Sequence, residues 1–441
     1  MARIQIVDFS CISHADMDIT DINVIIGPQG SGKSVTTKLF NFFTEILSDF
    51  QRSAEDGLTV SDYKKQLHKR FVMWFPPAAW GSKRFNISYT SGDFSIRILR
   101  RTIKKQLSDE VSITTSKWFD SIYDFALKSH REIAASRVEL QASDEYSAAN
   151  ALEMSWQVRS KVNAKISREI KEVYYLQQTF IPAGRAFFTS IGRLVAGIEH
   201  AGSLDPVTLK FARVFANWRD RSESHFLHGL ADEAFATRRN EMMMSLFGGR
   251  VSTKRESEYI EMQDGRKVPF SSLSSGQQEL MPIWYFLENI MLNDALENRR
   301  KRIGASAKNK QLIYIEEPEA HLFPSAQSAL MDALIGTILG EKSRRSLILT
   351  THSPYIMTKL NVFLKAGQIS RRKKKNSDLN DIIGRSCWIR RDQLSAWCIR
   401  DGEVVSIIDE EEGLIDAQYL DSISDTLSDE FNALLDLEET I

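Results

Sequence analysis

A glycine-rich run at residues 27–34 contains the residue types that bind a triphosphate. It reads Gly-Pro-Gln-Gly-Ser-Gly-Lys-Ser, follows the apolar segment Ile22–Ile26 and precedes a segment with helical spacing. A strand, a glycine turn and a helix start are the context that the pattern G-x-x-x-x-G-K-S/T requires, because backbone N–H groups at the helix start then point at phosphate oxygens. Lys33 is expected to reach the β- and γ-phosphates, and the Ser34 hydroxyl to bind Mg²⁺. An ordinary Gly/Ser loop is the alternative. The residues predicted to bind the nucleoside triphosphate are Gly27, Gly30, Ser31, Gly32, Lys33, Ser34 and Thr36.

A pair of carboxylates follows a second apolar segment. Glu316 and Glu317 come directly after Leu312–Ile315, which has the pattern of a buried strand. Carboxylates at the C-terminal end of such a strand face the crevice in which an α/β sheet binds its ligand. We expect Glu316 to hold the Mg²⁺ shell, commonly through water, and Glu317 to polarise the attacking water as a general base. A charge cluster at a helix N-terminus is the alternative.

A histidine follows the next apolar segment. His352 comes after Leu347–Thr350, one β-α unit beyond the carboxylates. A neutral imidazole at this place can hydrogen-bond a γ-phosphate oxygen or the attacking water. A purely structural histidine is the alternative.

The run Leu273–Glu279 places hydroxyls and a glycine at a predicted helix N-terminus, which is another arrangement that binds anions. Because the chain already has one phosphate loop, this second arrangement predicts contact with the nucleotide of a partner subunit. A plain helix N-cap, with Glu279 in the first turn, is the alternative. The residues predicted to act on the partner's nucleotide are Ser274, Ser275, Gly276 and Gln277.

The elements that must position these residues are predicted to form an α/β fold with a mixed sheet. The β-α-β spacing from residue 312 to residue 350 favours parallel strands, and hairpins are predicted within residues 85–98 and 396–407. Residues 104–178 contain no proline or glycine and are predicted to be helical. Four units are expected: an N-terminal lobe with the phosphate loop at 1–103, a helical insertion at 104–247, a C-terminal lobe at 248–370, and a hairpin with an acidic helical tail at 371–441.

The composition narrows the class of protein. The 57 basic and 58 acidic residues give a net charge of −1, which indicates neither nucleic acid nor membrane as a bulk partner. Three cysteines are too few for a disulfide framework, and the absence of a long apolar run or signal peptide predicts a cytoplasmic protein. One basic cluster is a candidate contact for DNA or a partner, although such runs are more often solvated loops. It comprises Arg371, Arg372, Lys373, Lys374 and Lys375.

Together, the four motifs resemble those of the ABC-type ATPases, specifically the OLD-like/RecF-SMC branch. The resemblance implies that Lys33 and Ser34 form the Walker A pair, that Glu316–Glu317 ends Walker B, and that the Ser-Gly signature acts in trans. ATP and Mg²⁺ would then lie between the heads of a homo-oligomer that is at least a dimer. Glu316 departs from the family, which usually has Asp there. The resemblance further implies an H-loop at His352, a D-loop with Glu319 and His321, and a Q-loop role near Mg²⁺ for Gln177 or Gln178.

Two segments narrow this resemblance. Residues 315–324 and Phe180–Arg185 are similar to the bacterial OLD-like ATPases, which include the ATPase subunits of the Septu and PARIS anti-phage systems. The resemblance implies a slow ATPase that controls a separate effector, such as a nuclease or toxin, in response to a phage-encoded trigger. No Toprim or HNH metal set follows His352, so a nuclease is expected on another polypeptide. The alternatives are a DNA-repair-type ATPase that acts on DNA directly, and a nucleotide-stabilised scaffold or antitoxin with little hydrolysis.

Overall fold

A computed structural model describes most of the chain. The described residues are 2–141, 148–170, 175–191, 205–224, 229, 231–254, 257–301, 310–340, 344–372, 377–416 and 428–435. They form an eleven-stranded mixed sheet with helices on its faces, and a separate three-stranded antiparallel sheet. The predicted α/β class with a mixed sheet is confirmed. The division of the chain into four units stays a prediction.

The large sheet has an antiparallel half and a parallel half. The antiparallel half comprises β1 (Ala2–Phe9), β2 (Ile12–Ile19), β4 (Asn86–Ser91), β5 (Phe94–Ile103) and β6 (Gln106–Thr115). The parallel half comprises β3 (Ile22–Ile26), β7 (Tyr175–Ile181), β11 (Lys310–Glu316), β12 (Arg345–Thr350) and β13 (Leu394–Arg400). Strand β14 (Glu403–Ser406) pairs antiparallel with β13 and touches β2, so it joins the two halves. The spatial order is β6-β5-β4-β1-β2-β14-β13-β3-β12-β11-β7.

The helices connect these strands. They are α1 (Lys33–Glu55), α2 (Val60–Trp74), α3 (Lys117–Gln141), α4 (Ala148–Glu169), α5 (Ala186–Ile191), α6 (Pro206–Ser222), α7 (Glu233–Phe247), α8 (Ser275–Lys301), α9 (Pro324–Ile338), α10 (Pro354–Arg372) and α11 (Ser377–Ile382). Residues 428–435 are also helical, and the small sheet contains β8 (Gly249–Lys254), β9 (Ser257–Met262) and β10 (Lys267–Pro269). Among these helices, none is long and apolar enough to cross a bilayer.

A hydrophobic core covers each face of the parallel half. Alternate residues of a strand point to opposite faces, so Ile313 and Ile315 enter one core while Leu312 and Tyr314 enter the other. Helices α6 to α10 supply side chains to the first core, and α1 to α4 supply side chains to the second. The parallel strands are therefore buried on both sides, as their continuous apolar sequences predict.

The helical prediction for residues 104–178 requires correction at both ends. Residues 106–115 form β6, which pairs antiparallel with β5, and residues 175–181 form β7, which pairs parallel with β11. The first segment contains four β-branched residues within Val111–Thr115, which favours a strand over a helix. The second segment is held in the sheet by burial, since the Phe180 ring stacks on the Tyr314 ring with centroids 5.4 Å apart.

Candidate functional site

The carboxyl ends of the parallel strands meet at one edge of the sheet. Parallel pairing joins β13 to β3, β3 to β12, β12 to β11, and β11 to β7. The phosphate loop follows β3, His352 follows β12, and the carboxylate pair ends β11. The predicted motifs, which are distant in the sequence, therefore come together at this edge.

The phosphate loop depends on glycine at its first position. Gly27 has a φ of +151°, and a Cβ at this residue would lie 2.4 Å from the Ile399 carbonyl oxygen and 2.7 Å from Ser31 Oγ. Gly30, with a φ of +77°, has no atom within 4 Å of its Cβ position. The loop is thus packed against β13 on one side and open on the other.

The side chains of this loop fit a triphosphate. Lys33 Nζ donates to the carbonyl oxygens of Gly27 and Pro28 at 2.8 Å each, which holds the ammonium group inside the curve of the loop. Ser31 Oγ is buried and has no hydrogen-bond partner among the described residues. A buried cation and a buried hydroxyl that lacks a partner both favour an anionic ligand with oxygen acceptors.

Burial controls the charge of Lys33. It lowers the pKa of the Lys33 ammonium group below its ordinary value, and the nearby carboxylates Glu317 and Glu319 offset part of this shift. A lysine in this state gains from a ligand that brings additional negative charge. A phosphate group is such a ligand.

Glu316 lies behind the start of α1. Its side chain is buried, Oε1 accepts a hydrogen bond of 3.3 Å from Thr37 Oγ1, and Oε2 accepts one of 3.3 Å from the Ala183 backbone N–H. Thr37 Oγ1 also lies 3.1 Å from the Ser34 carbonyl oxygen, while Ser34 itself is exposed. An exposed hydroxyl at the start of α1 and a carboxylate that is bonded to the next turn of the same helix are a donor set that suits Mg²⁺ with several waters.

Glu317 and His352 form a pair at the open edge of the sheet. Glu317 Oε1 lies 3.6 Å from His352 Nε2, and both side chains are about 40% exposed (41% and 38%). Glu317 has a φ of +44°, a left-handed conformation that is uncommon for residues other than glycine, and its N–H donates to the Thr350 carbonyl at 3.0 Å. Such backbone conformations concentrate at functional sites when the surrounding structure holds them in place.

The predicted D-loop contacts both the histidine and the signature segment. Glu319 Oε1 accepts hydrogen bonds from Thr351 Oγ1 at 2.8 Å and from the His352 backbone N–H at 2.6 Å. The His321 carbonyl oxygen approaches Gly276 so closely that a Cβ there would lie 2.7 Å from it. Gly276 is therefore needed for this close approach.

The signature segment begins α8 at the protein surface. Ser274 and Ser275 are exposed, and Ser274 Oγ accepts a 3.3 Å hydrogen bond from the Gln277 N–H, in the manner of an N-cap. The plain N-cap predicted as the alternative is thus present. The exposure of both hydroxyls leaves an anion-binding role possible in addition.

Arg185 is a residue of this site to which sequence reasoning assigned no role. It is fully buried and donates to the backbone carbonyls of Glu316 at 2.8 Å, Glu317 at 3.1 Å and Pro318 at 3.3 Å. Burial lowers the pKa of the guanidinium group, and Glu279 is the carboxylate that most strongly offsets this shift. The signal in the sequence is the segment Phe180–Arg185, which ends in the only basic residue of that run.

Two predicted roles require correction. Gln178 Oε1 accepts hydrogen bonds from Asn41 Nδ2 at 2.9 Å and Thr44 Oγ1 at 2.8 Å. These residues lie two to three helical turns from Ser34, about 10 to 15 Å along α1, so Gln178 is not placed to bind the same Mg²⁺. Thr36 is fully buried and its hydroxyl donates to the Gly32 carbonyl at 2.9 Å, so its side chain stabilises the helix start instead of facing a nucleotide.

The predicted basic cluster lies mostly outside the described residues. Lys373, Lys374 and Lys375 are not described, whereas Arg371 and Arg372 are exposed at the end of α10. Arg371 lies 3.7 Å from Asp392. The contact of this basic cluster with DNA stays a prediction.

Comparison with known proteins identifies a family and several similar structures. The model of the AAA_21 family, described as "AAA domain, putative AbiEii toxin, Type IV TA system", matches residues 22–358. No curated protein matches the chain significantly. Among solved structures, the chain is similar to an SMC head bound to the C-winged helix domain of ScpA, with 12% identity, a TM-score of 0.40, and coverage of 93% of this chain and 98% of that chain.

Two further SMC heads show the same level of similarity. One is the head domain from Thermotoga maritima, with 10% identity, a TM-score of 0.34, and coverage of 92% of this chain and 97% of that chain. The other is a head with an extended coiled coil bound to the C-terminal domain of ScpA derived from Pyrococcus furiosus. Its identity is 12%, its TM-score 0.36, and the alignment covers 92% of this chain and 96% of that chain.

Proposed function

Because the family model covers more than half of its length, the chain belongs to the AAA_21 family of P-loop ATPases, and we propose that it binds and hydrolyses ATP to control a separate effector protein. The observation that carries the proposal is the meeting of Lys33, Glu317 and His352 at one edge of the parallel strands. A phosphate-binding cation, a carboxylate base and an imidazole are groups that together can catalyse hydrolysis of a triphosphate.

The roles follow from the chemistry of each side chain. The open phosphate loop and Lys33 would hold the β- and γ-phosphates, while Ser34 and Glu316 would hold Mg²⁺ and its waters. When bound, Mg²⁺ neutralises charge on the phosphates. Glu317 would accept a proton from the attacking water, and His352 would orient that water or a γ-phosphate oxygen. The longer Glu316 in place of Asp fits a slow ATPase.

Pairing of two copies through ATP is the second part of the proposal. Ser274 and Ser275 are exposed at the start of α8, where helix N–H groups favour an anion. The exposed Phe323, which follows the D-loop, and Tyr355, which follows the histidine, add apolar surface beside these segments. A second copy that contributes its signature to the bound ATP would cover this surface.

Control of an effector is the third part. The description of the family names a toxin and a type IV toxin–antitoxin system, and the motifs at residues 180–185 and 315–324 resemble ATPase subunits of anti-phage systems. We place the chain in a bacterial defence complex, in which bound ATP favours one of two assemblies. A ligand shifts such an equilibrium only through different affinities for the two states.

The Glu317→Gln variant tests the ATPase. We expect hydrolysis to fall by about 100-fold or more, because a general base contributes on the order of 10²- to 10⁴-fold, while ATP affinity stays unchanged. Glu403→Gln, an exposed carboxylate on β14, is the control and should retain full activity. Equal hydrolysis by the Glu317→Gln variant and the wild type would contradict the assigned base.

The same variant tests pairing and effector control. With ATP, Glu317→Gln should accumulate as a dimer or larger oligomer in light scattering, and Ser275→Arg should prevent this.

In cells, the protein encoded by the adjacent gene should be toxic alone and tolerated together with this chain. An ATPase that stays monomeric with ATP, or that leaves that toxicity unchanged, would limit the function to nucleotide hydrolysis. Salt-sensitive DNA binding lost on neutralising Arg371 and Arg372 would instead favour the DNA-repair alternative.

A further inference from the structure

Arg185 makes an unusual set of contacts for a buried cation. Its guanidinium group has no exposed surface, and the five hydrogen bonds that it donates to described residues all go to backbone carbonyls. The guanidinium fork spans three consecutive carbonyl oxygens, those of Glu316, Glu317 and Pro318, at 2.8 to 3.3 Å. A planar group with five donors in a fixed geometry can bond these carbonyls together with those of Pro182 and Glu279, whereas a lysine ammonium group has only three donors for the five acceptors.

The segment that Arg185 holds contains the proposed general base. Glu317 has the left-handed backbone conformation described above, and its side chain faces His352 at 3.6 Å. A residue other than glycine keeps such a conformation only when its surroundings hold it there. The Arg185 hydrogen bonds, together with the Thr350 carbonyl that accepts from the Glu317 N–H at 3.0 Å, provide that restraint.

The other side of Arg185 contacts the signature helix. Arg185 Nε donates to the Glu279 carbonyl oxygen at 3.1 Å and lies 3.5 Å from Glu279 Oε2. Glu279 is 2% exposed, and its Oε2 makes no hydrogen bond among the described residues. Glu279 is the fifth residue of α8, just after its first turn and three residues after Gly276. One side chain thus joins the start of the signature helix to the end of β11.

We infer that Arg185 is a positioning residue of the ATPase site, which holds Glu317 in place and couples it to Glu279 near the start of α8. Contact between the signature and a partner's ATP would then reach Glu317 of the same chain through Glu279 and Arg185. A buried ion pair is by itself weak evidence for stability, since apolar side chains often replace one without loss. An ion pair that only stabilised the fold would not require the contacts of Arg185 with the carbonyls of residues 316–318. The inference rests on the proposed ATPase function.

Two substitutions separate positioning from stability. Arg185→Lys keeps the charge beside Glu279 but loses the fork, whereas Arg185→Met loses both. A matched control exists on α8, the helix that carries Glu279. There the buried Glu288 pairs with Arg239 of α7, away from β11. ATP hydrolysis would be measured as kcat and KM, and thermal unfolding as Tm, for wild type, both Arg185 variants and Arg239→Met.

The expected pattern is a loss of kcat that does not follow stability. Arg185→Lys should recover much of the Tm that Arg185→Met loses. Both variants should nevertheless lower kcat by about 100-fold, with KM changed less than about threefold. Misplacing a catalytic group by about 1 Å lowers the rate by about 100-fold. Arg239→Met should lower Tm while kcat stays within about threefold of wild type. Glu279→Gln should lower kcat by a smaller factor than Arg185→Lys.

Three results would overturn the inference. They are wild-type kcat in Arg185→Lys, losses of kcat that follow Tm equally in the Arg185 and Arg239 variants, or a rise in KM with kcat unchanged. The last would place Arg185 in nucleotide binding. Absence of hydrolysis by the wild type would overturn the proposed function and this inference together, whereas an active wild type with an unaffected Arg185→Lys variant would overturn this inference alone.

Discussion

The antiparallel half of the large sheet and the carboxyl edge of its parallel half bury different kinds of side chain. In the antiparallel half, Phe9 of β1 lies against Phe71, Phe75 and Phe85, with ring centroids 4.8 to 5.9 Å apart. At the carboxyl edge of the parallel half, the buried groups are polar. They include Lys33, Thr37, Arg185, Glu279, Glu316 and Thr351. Apolar burial stabilises the first region, while hydrogen bonds between loops hold the second in one arrangement.

Helix α1 takes part in both regions. Its first turns carry Lys33 and Thr37, and its later turns bury Phe42, Phe43 and Ile46 against the antiparallel half. The comparison therefore predicts that the effect of a substitution in α1 depends on its position along the helix. Those near its start should change nucleotide binding, and those in the aromatic core should change stability.

The largest effect is expected in the aromatic core. Phe71→Ala removes a fully buried ring that contacts Phe9, Phe42 and Trp80, and should lower the free energy of unfolding by about 3 to 5 kcal/mol. Urea unfolding gives this value, with the exposed Met73→Ala on the same helix as the control. ATP affinity, measured where the variant is folded, should match the wild type. A matching loss of affinity would show that the two regions are not separable.

The sequence predicts the motifs and the strands that carry them better than it predicts the contacts between them. The phosphate loop and the carboxylate pair are local patterns, since each needs only a strand and a turn whose residues are adjacent in the chain. Their meeting at one edge follows from parallel pairing, which β-α-β spacing indicates. The assignments of the individual roles stay predictions.

The errors arise where distant residues decide the outcome. Gln178 has the right type for a metal ligand, but the register of β7 against β11 places it opposite Leu312, several residues before the strand end. Arg185 is read as part of a motif, yet its contacts with Glu279 and the β11 end depend on how α8 packs. Strand β6 is polar on most of its length and forms because β5 offers a pairing edge, which composition does not reveal.

A second prediction concerns the charged group of the phosphate loop. Lys33→Met should weaken ATP binding by about 10- to 100-fold, because a hydrogen bond to a charged group contributes about 1.5 to 3 kcal/mol. Isothermal titration with ATP and Mg²⁺ measures the affinity. Lys38→Met is the control on the same helix, since Lys38 pairs with Asp205 at 3.3 Å instead of contacting the loop. Equal affinity in the Lys33 variant and wild type would remove nucleotide binding from this edge of the sheet.

A smaller effect is expected from the hydroxyl between the loop and Walker B. Thr37→Val keeps the shape of the side chain but leaves Glu316 Oε1 without its 3.3 Å donor, and should cost about 1 kcal/mol in Mg²⁺-dependent ATP binding. Thr44→Val is the matched control on α1, because Thr44 bonds to Tyr314 and Gln178 away from the loop. It should lower stability and leave ATP binding unchanged. If Thr44→Val weakened ATP binding while Thr37→Val lowered only stability, the functional part of α1 would lie further along the helix.

The smallest effect is a pH dependence with opposite signs for binding and stability. Burial lowers the pKa of Lys33, so its charge is lost at a lower pH than the ordinary lysine value of about 10.4. ATP affinity is therefore full below the folded pKa of Lys33 and should decrease, by less than about tenfold, as the pH rises through that pKa toward the ordinary lysine value.

The pH dependence of stability without nucleotide has the opposite sign. A lysine whose pKa is lowered by folding costs stability while it is charged, so the stability of the nucleotide-free protein gains from Lys33 as the pH rises through that pKa toward the unfolded value. Subtracting the pH profile of Lys33→Met from that of the wild type isolates this contribution in both measurements. If the two differences had the same sign, the ammonium group would be stabilised by its carboxylate neighbours Glu317 and Glu319 and not destabilised by burial. The polar edge would then be held together by its own charges, and the contrast with the aromatic half would lie in the type of interaction alone.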